Sequence, residues 1–377
     1  MTDITEIEAN SDSLPSSTER RPGSGGLNIA RYLAIGAGLL GVALVTMSLV
    51  TVPYFSQSPG SATPLESLVV VEGAPSYPSD GEVYFTTVRL TGELSVLEYI
   101  GAWFDSSVEL VESKQVLQGQ TREEQRAHNL ALMTESQEVA KRVALSYLGY
   151  DVIRPNGALI AGVVEGSGAQ DVVKAGDVVV EAGGVEVTER DGLVDQIQAR
   201  SPGDTLDMVV MRPLSVDESE RIEVSVVLGA SEADGTTQMG VQVSTAIELV
   251  PLPFDIQVDT ASVGGPSAGL ALTLSMFDLL TPGDATGGIE VATTGQIDLA
   301  GNVLPIGGIT QKTHAVRRAG IDLFLVPVAN YDEALAASGG EVEIVAVENF
   351  LEALTVLSER GGNGLEVMSE PALSPAA

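Results

Sequence analysis

Two short glycine-flanked segments hold the side chains best suited to chemistry. The first, Ser262–Leu280, reads SVGGPSAGLALTLSMFDLL, with Ser267 after a Gly-Gly-Pro turn at the head of an apolar run. The second, Thr293–Gly320, reads TTGQIDLAGNVLPIGGITQKTHAVRRAG and carries Lys312 shortly after Gly307 and Gly308. A serine hydroxyl becomes nucleophilic when a neighbouring base takes its proton, and lysine can be that base once its amine is neutral. Lysine ordinarily titrates near ~10.4, so an apolar site must disfavour the ammonium by about 4 kcal/mol for the amine to act near neutrality, which burial can supply. Histidine is the commoner base, but the chain has only two. His314 is two residues from Lys312 on the same expected helix and points elsewhere. His128 lies far upstream among polar neighbours, where a surface or packing role fits. The absence of cysteine removes thiolate nucleophiles, disulfides and cysteine metal sites together.

The elements that must position these residues follow from the same segments. Pro266 suits the first position of a helix, where its missing N–H costs nothing, which puts Ser267 in the first helical turn. Unpaired N–H groups and the positive helix end favour negative charge developing there. TQKTHAVRRA reads as a second helix with Gly320 as its C-cap and Lys312 in its first turn, where the helix dipole disfavours a cation. Taken singly, each segment has a plainer reading: a Gly-Pro-Ser turn can simply start a helix, and a lysine can lie solvated on a surface.

Together the two segments resemble the Lon proteolytic domain. The GPSAG core, the TG-hydrophobic-x-L-x-G-x-VLPIGG run, the lysine heading the next helix and the separation of 45 residues are similar to that family. The likeness continues through IDLFLVPVAN and NFLEALTVL, about the last third of the chain before its tail. The resemblance implies that Ser267 is the nucleophile, Lys312 the base and Thr294 a threonine that helps hold the lysine, with Gly265 and Pro266 supporting the turn. One departure is Gly264, where ATP-dependent Lon enzymes commonly carry an acidic residue. No G-x-x-x-x-G-K-[ST] loop occurs anywhere, so the expected peptidase needs no nucleotide and no cofactor or metal, and acts on flexible or already loosened proteins.

Upstream, GALIAGVVEGSGAQ, AGDVVVEAGGVEV and GLVDQIQAR resemble the central strands, glycine turns and groove-lining helix of a PDZ domain. Tyr147, Leu148, Gly149 and Tyr150 are similar to the loop that holds a ligand's C-terminal carboxylate, although Tyr147 stands where a glycine is often found. PDZ ligands add as an extra strand at a sheet edge. Between residues 53 and 145, LESLVVVEG and GEVYFTTVRLTG read as strands, Ser95–Phe104 and Thr121–Ser146 as helices, the latter with a Thr121–Glu124 capping box.

Tyr32–Val52 is 21 residues without a charge, about the length that crosses a ~30 Å hydrocarbon core. Arg20, Arg21 and Arg31 precede it and no Lys or Arg occurs from Pro53 to Val88, so the N-terminus is expected in the cytoplasm and the rest outside the cell membrane. Residues 1–31 and 360–377 are expected to be disordered tails. A net charge of −33 and a pI near 4.1 oppose nucleic-acid binding. The expectation is an α+β chain: single-pass helix 32–52, strands and helices over 53–145, PDZ-like domain 146–229, and Lon-type proteolytic α/β domain 230–359. Its activity would be a Ser-Lys serine endopeptidase on protein or peptide substrates. Homo-oligomerisation follows from family analogy alone. The alternative is a catalytically quiet PDZ scaffold presenting C-termini to another membrane protease.

Overall fold

The computed structural model describes residues 24–215, 218–231, 235–261 and 263–368; of the tails expected over 1–31 and 360–377, residues 1–23 and 369–377 lie outside the described residues. The uncharged run forms α1 (Ser24–Leu49), which starts before Tyr32 and stops short of Val52. It stops because the next backbone groups are claimed elsewhere: Val52 N–H donates to Leu94 O at 2.8 Å and Val96 N–H to Val50 O at 2.9 Å. Within α1, Arg31–Leu49 is long and apolar enough to cross a membrane, and none of it is buried.

After α1 come β1 (Tyr54–Pro64), β2 (Val69–Glu72), β3 (Glu82–Thr91), α2 (Val96–Phe104), β4 (Glu109–Glu112), α3 (Ser113–Leu117) and α4 (Arg122–Tyr147). Capping boxes at Ser95 and Thr121 start α2 and α4. The two expected strands are β2 and β3. The long β1, with its serines, glycine and prolines, has no strand pattern and forms because β3 and β4 pair with its two edges.

A second sheet follows, made from β5 (Ile153–Val163), β6 (Val178–Ala182), β7 (Val185–Glu186), β8 (Thr205–Pro213), β9 (Ser219–Val227) and β12 (Val241–Leu249), in the order β12-β5-β6-β8-β9 with β7 on β6. Helix α5 (Arg190–Gln198) covers it, and a small hairpin, β10 (Gly229–Ala230) with β11 (Thr237–Gln238), precedes β12. Ile160, Val179, Leu193, Leu206 and Val210 form its own core. The sheet therefore runs past the division expected at 229/230: β12 pairs antiparallel with β5 from Val241↔Val163 to Leu249↔Ile153.

The chain then returns through β13 (Asp255–Val258), which pairs with β2, to α6 (Gly269–Leu279), β14 (Glu290–Thr293), the hairpin β15 (Gln296–Ile297) with β16 (Val303–Leu304), α7 (Ile309–Ala319), β17 (Leu323–Pro327), α8 (Tyr331–Ser338), β18 (Glu343–Val347), α9 (Phe350–Ser358) and α10 (Gly364–Met368). Residues 364–368, expected in a tail, are helical because Leu365, Val367 and Met368 pack on the core. The main sheet has the order β18-β17-β14-β3-β1-β4. Half its strands thus come from before the second sheet, so that sheet interrupts the chain of the first. Arg142 of α4 ties both crossings, donating to Val152 O at 2.9 Å and Val250 O at 2.6 Å.

Period-two alternation gives the main sheet two buried faces. Val83, Phe85, Val291, Leu323 and Leu325 pack against Leu270, Leu274 and Phe277 of α6 and Leu354 of α9. Ala292, Phe324 and Val326 pack against Ile309 and Val316 of α7 and Ala334 of α8. Each such large side chain contributes about 1.5–3 kcal/mol of burial. Helices α6 and α7 are consequently fixed on opposite faces of one sheet.

Candidate active site

The heads of α6 and α7 meet beyond the carboxyl end of β14. Lys312 Nζ donates to Ser267 Oγ at 2.7 Å and to Thr294 Oγ1 at 2.9 Å, and Thr294 Oγ1 donates to Ser267 O at 3.2 Å. The sequence-expected Ser267, Lys312 and Thr294 are therefore in direct contact. Ser267 lies in the turn before α6, two residues ahead of Gly269, rather than within its first helical turn. The turn is closed by Gly269 N–H on Pro266 O at 3.2 Å. The amides of Ser267 and Ala268 have no acceptor among the described residues and are available at the positive end of the helix. Gly308, at φ +70°, caps α7, and Lys312 N–H closes the first turn onto Gly308 O at 3.0 Å.

Lys312 is 2% exposed, and no opposite charge among the described residues offsets that burial: desolvation holds its amine down to about 7. Near neutral pH about half the molecules thus carry a neutral amine against a serine hydroxyl. His314 sits on the outer side of α7, 3.5 Å from Arg317 Nη1, and His128 is exposed on α4, so neither approaches Ser267.

Helix α4 braces the turn that holds Ser267, a role the sequence did not signal. Gly265 N–H donates to Asn129 O at 2.8 Å and Ser136 Oγ donates to Pro266 O at 3.0 Å. Gly265 holds φ +94°, a conformation suited to glycine. A Cβ on Gly264 would lie 2.8 Å from Asn129 Cβ and 3.1 Å from its backbone carbon, so no acidic side chain fits there. Asn129, Met133 and Ser136 share one helix face by spacing, yet their partner is more than a hundred residues downstream. A cavity of about 580 Å³ opens over Ser267 and Lys312, walled by Thr86–Arg89 of β3, Met133 and Ile306. β14 pairs with β3 only from Glu82 to Phe85, so beyond Phe85 that edge of β3 faces the cavity without a strand partner among the described residues. Thr86 Oγ1 is buried there without a hydrogen bond.

In the expected carboxylate loop the backbone N–H groups have partners within the chain. Leu148, Gly149 and Tyr150 direct their N–H groups to Ala144 O, Ser146 O and Leu145 O at 2.9–3.1 Å, closing the end of α4. Tyr147 packs edge-on against Phe350 and Tyr150 against Phe254, both in the core of the main sheet. The edge of β5 beside α5 is also filled: β12 pairs along it, and Arg190 N–H donates to Thr245 Oγ1 at 3.2 Å. The four residues are spent on helix capping and packing.

A hydroxyl hydrogen-bonded to a buried, easily neutralised amine at a helix head has the parts that nucleophilic catalysis needs. The model of the Lon protease (S16) C-terminal proteolytic domain matches residues 218–357, and that of the PDZ domain matches residues 130–228. The chain thus carries a PDZ domain and a Lon-type serine peptidase domain. Among curated relatives, the Lon protease of Helicobacter pylori (strain 26695) is 34% identical over 141 residues, covering 36% of this chain and 16% of the relative. Lon protease 2 of Bacillus subtilis is 33% identical over 129 residues, 33% of this chain and 22% of the relative. The Lon protease of Treponema pallidum is 47% identical over 66 residues, 18% and 7% respectively. The chain therefore spans less than a quarter of the length of these relatives. Strands β1 and β3 lie outside the matched 218–357 yet complete the same sheet.

Proposed function

We propose that the chain is an ATP-independent serine endopeptidase, anchored by α1 with its catalytic domain on the extracytoplasmic side, in which Ser267 is the nucleophile and Lys312 the general base. The observation that carries this reading is the 2.7 Å contact between a buried amine, held down to about 7, and the Ser267 hydroxyl. Neutral Lys312 takes the proton of Ser267 as Oγ attacks the scissile carbonyl, and the amides of Ser267 and Ala268 stabilise the oxyanion. The ammonium then protonates the leaving amine; on deacylation Lys312 takes a proton from the water whose oxygen attacks the ester, and returns it to Ser267 Oγ as the C–Oγ bond breaks. Thr294 keeps Lys312 aimed at Oγ. The open edge of β3 accepts an extended segment as an added strand, with Thr86 Oγ1 as a further partner. Such docking demands a flexible or loosened substrate, in keeping with the absence of a nucleotide loop from the sequence. The filled edge beside α5 argues against a scaffold that displays C-termini.

The full chain, reconstituted in lipid without nucleotide, should fragment a natively unfolded protein, and Ser267→Ala or Lys312→Ala should each lower the rate by at least about 10³-fold. Full activity in Lys312→Ala, or cleavage only when ATP is added, would reject the proposal.

A further inference from the structure

Helix α2 presents an apolar face that stands exposed among the described residues. Leu97, Ile100, Trp103 and Phe104 are 41%, 37%, 70% and 76% exposed, and at helical spacing they occupy one stripe. The opposite side is the one bound to the protein: Tyr99 stacks edge-on with Tyr54, their ring centroids 5.0 Å apart, and Ala102 is half-buried. The only charged residue of α2, Glu98, is turned back into the capping box with Ser95. Trp103 and Phe104 contact each other edge to face at 4.9 Å, forming one exposed aromatic knob.

The position of α2 says what covers that stripe. Its first residue is hydrogen-bonded to Val50, the residue that follows α1, and Thr51 bridges to Ser95. α2 therefore begins where the apolar helix leaves the bilayer. We infer that α2 lies in the membrane interface, with Leu97, Ile100, Trp103 and Phe104 set into the boundary between lipid headgroups and acyl chains. This rests on reading α1 as a membrane span, but it adds a second attachment. Exposed apolar side chains flanked by aromatic rings are what interfacial helices bury, and tryptophan favours that depth because its ring is apolar and its N–H stays near water. A single span leaves a domain free to swivel. Two attachments joined by short backbone bonds fix which side of the main sheet faces lipid, and so the direction from which substrate reaches the cavity.

Trp103 is the only tryptophan in the chain, so its fluorescence reports this helix alone. The full chain is reconstituted in phosphatidylcholine vesicles, some with lipids brominated near the top of the acyl chain and some near its end. The expected result is blue-shifted emission, about half of it lost to the shallow bromines and little to the deep ones. Ile100→Ser with Phe104→Ser, which keeps the tryptophan, should shift emission to the red and roughly halve the shallow quenching. Red emission untouched by bromine overturns the inference, as does blue emission untouched by bromine, which would mean that a second copy or another protein covers the stripe. Alkaline carbonate extraction of the same vesicles tests the span separately. Retention of the chain without quenching sinks the interfacial helix alone, whereas release of the chain sinks the span whatever the tryptophan does.

Discussion

Replacing Lys312 by methionine should inactivate the protein and yet stabilise it. The amine is 2% exposed and held down to about 7, whereas in the unfolded chain it titrates at the ordinary lysine value. Between those two values the unfolded chain binds the extra proton, so the native state loses stability as pH falls, fully so below about 7. At pH 7 the cost of keeping the amine in its site is about 4 kcal/mol. Methionine fills a similar volume without that cost, but it forfeits the bonds to Ser267 Oγ and Thr294 Oγ1, about 1 kcal/mol each. The net gain is about 2 kcal/mol, or about 4–8 °C in the unfolding temperature of the catalytic domain. At pH 9 most of that advantage should be gone, because the native penalty there is smaller by about 2 kcal/mol. Calorimetry of the two full chains in the same lipid, at pH 7 and 9, measures both. A Lys312→Met chain less stable than the native one at pH 7, or a difference that ignores pH, would refute the reasoning from desolvation.

Three more outcomes follow from the packing. Gly264→Asp should drive the Ser267 turn off the Asn129 backbone and lower kcat/KM by about 10²-fold in a peptide-cleavage assay. Arg142→Met should raise amide exchange around Val152 and Val250, a local loss of about 1–3 kcal/mol, while the cores of the two sheets keep their protection. Peptides with free C-termini should show no saturable binding to the PDZ domain up to about 1 mM by calorimetric titration, since β12 must first leave β5.

The parts of this fold legible in the sequence are those written in local patterns. The uncharged run of α1, the capping boxes of α2 and α4, the alternation of β17 and the Gly320 C-cap of α7 all have one-dimensional signatures. The serine and lysine were legible because each follows a glycine turn at a helix head. What stayed hidden depends on distant partners. β1 is read as a strand only once β3 and β4 flank it, and β12 joins the second sheet through a pairing with β5 some eighty residues away in sequence. Tyr147–Tyr150 resemble a carboxylate loop by residue type, but α4 ends there, and capping its carbonyls consumes the N–H groups. Asn129 and Ser136 support the Ser267 turn from a helix whose sequence reads as amphipathic and nothing more.

The proposed chemistry rests on Lys312 activating Ser267. Labelling the full chain with a fluorophosphonate and reading the adduct by peptide mass spectrometry measures that activation without a substrate. Modification should fall on Ser267, its rate should rise with pH through about 7 as the amine loses its proton, and Lys312→Met should remain unlabelled. Equal labelling of Lys312→Met, or an adduct at another serine, would contradict it.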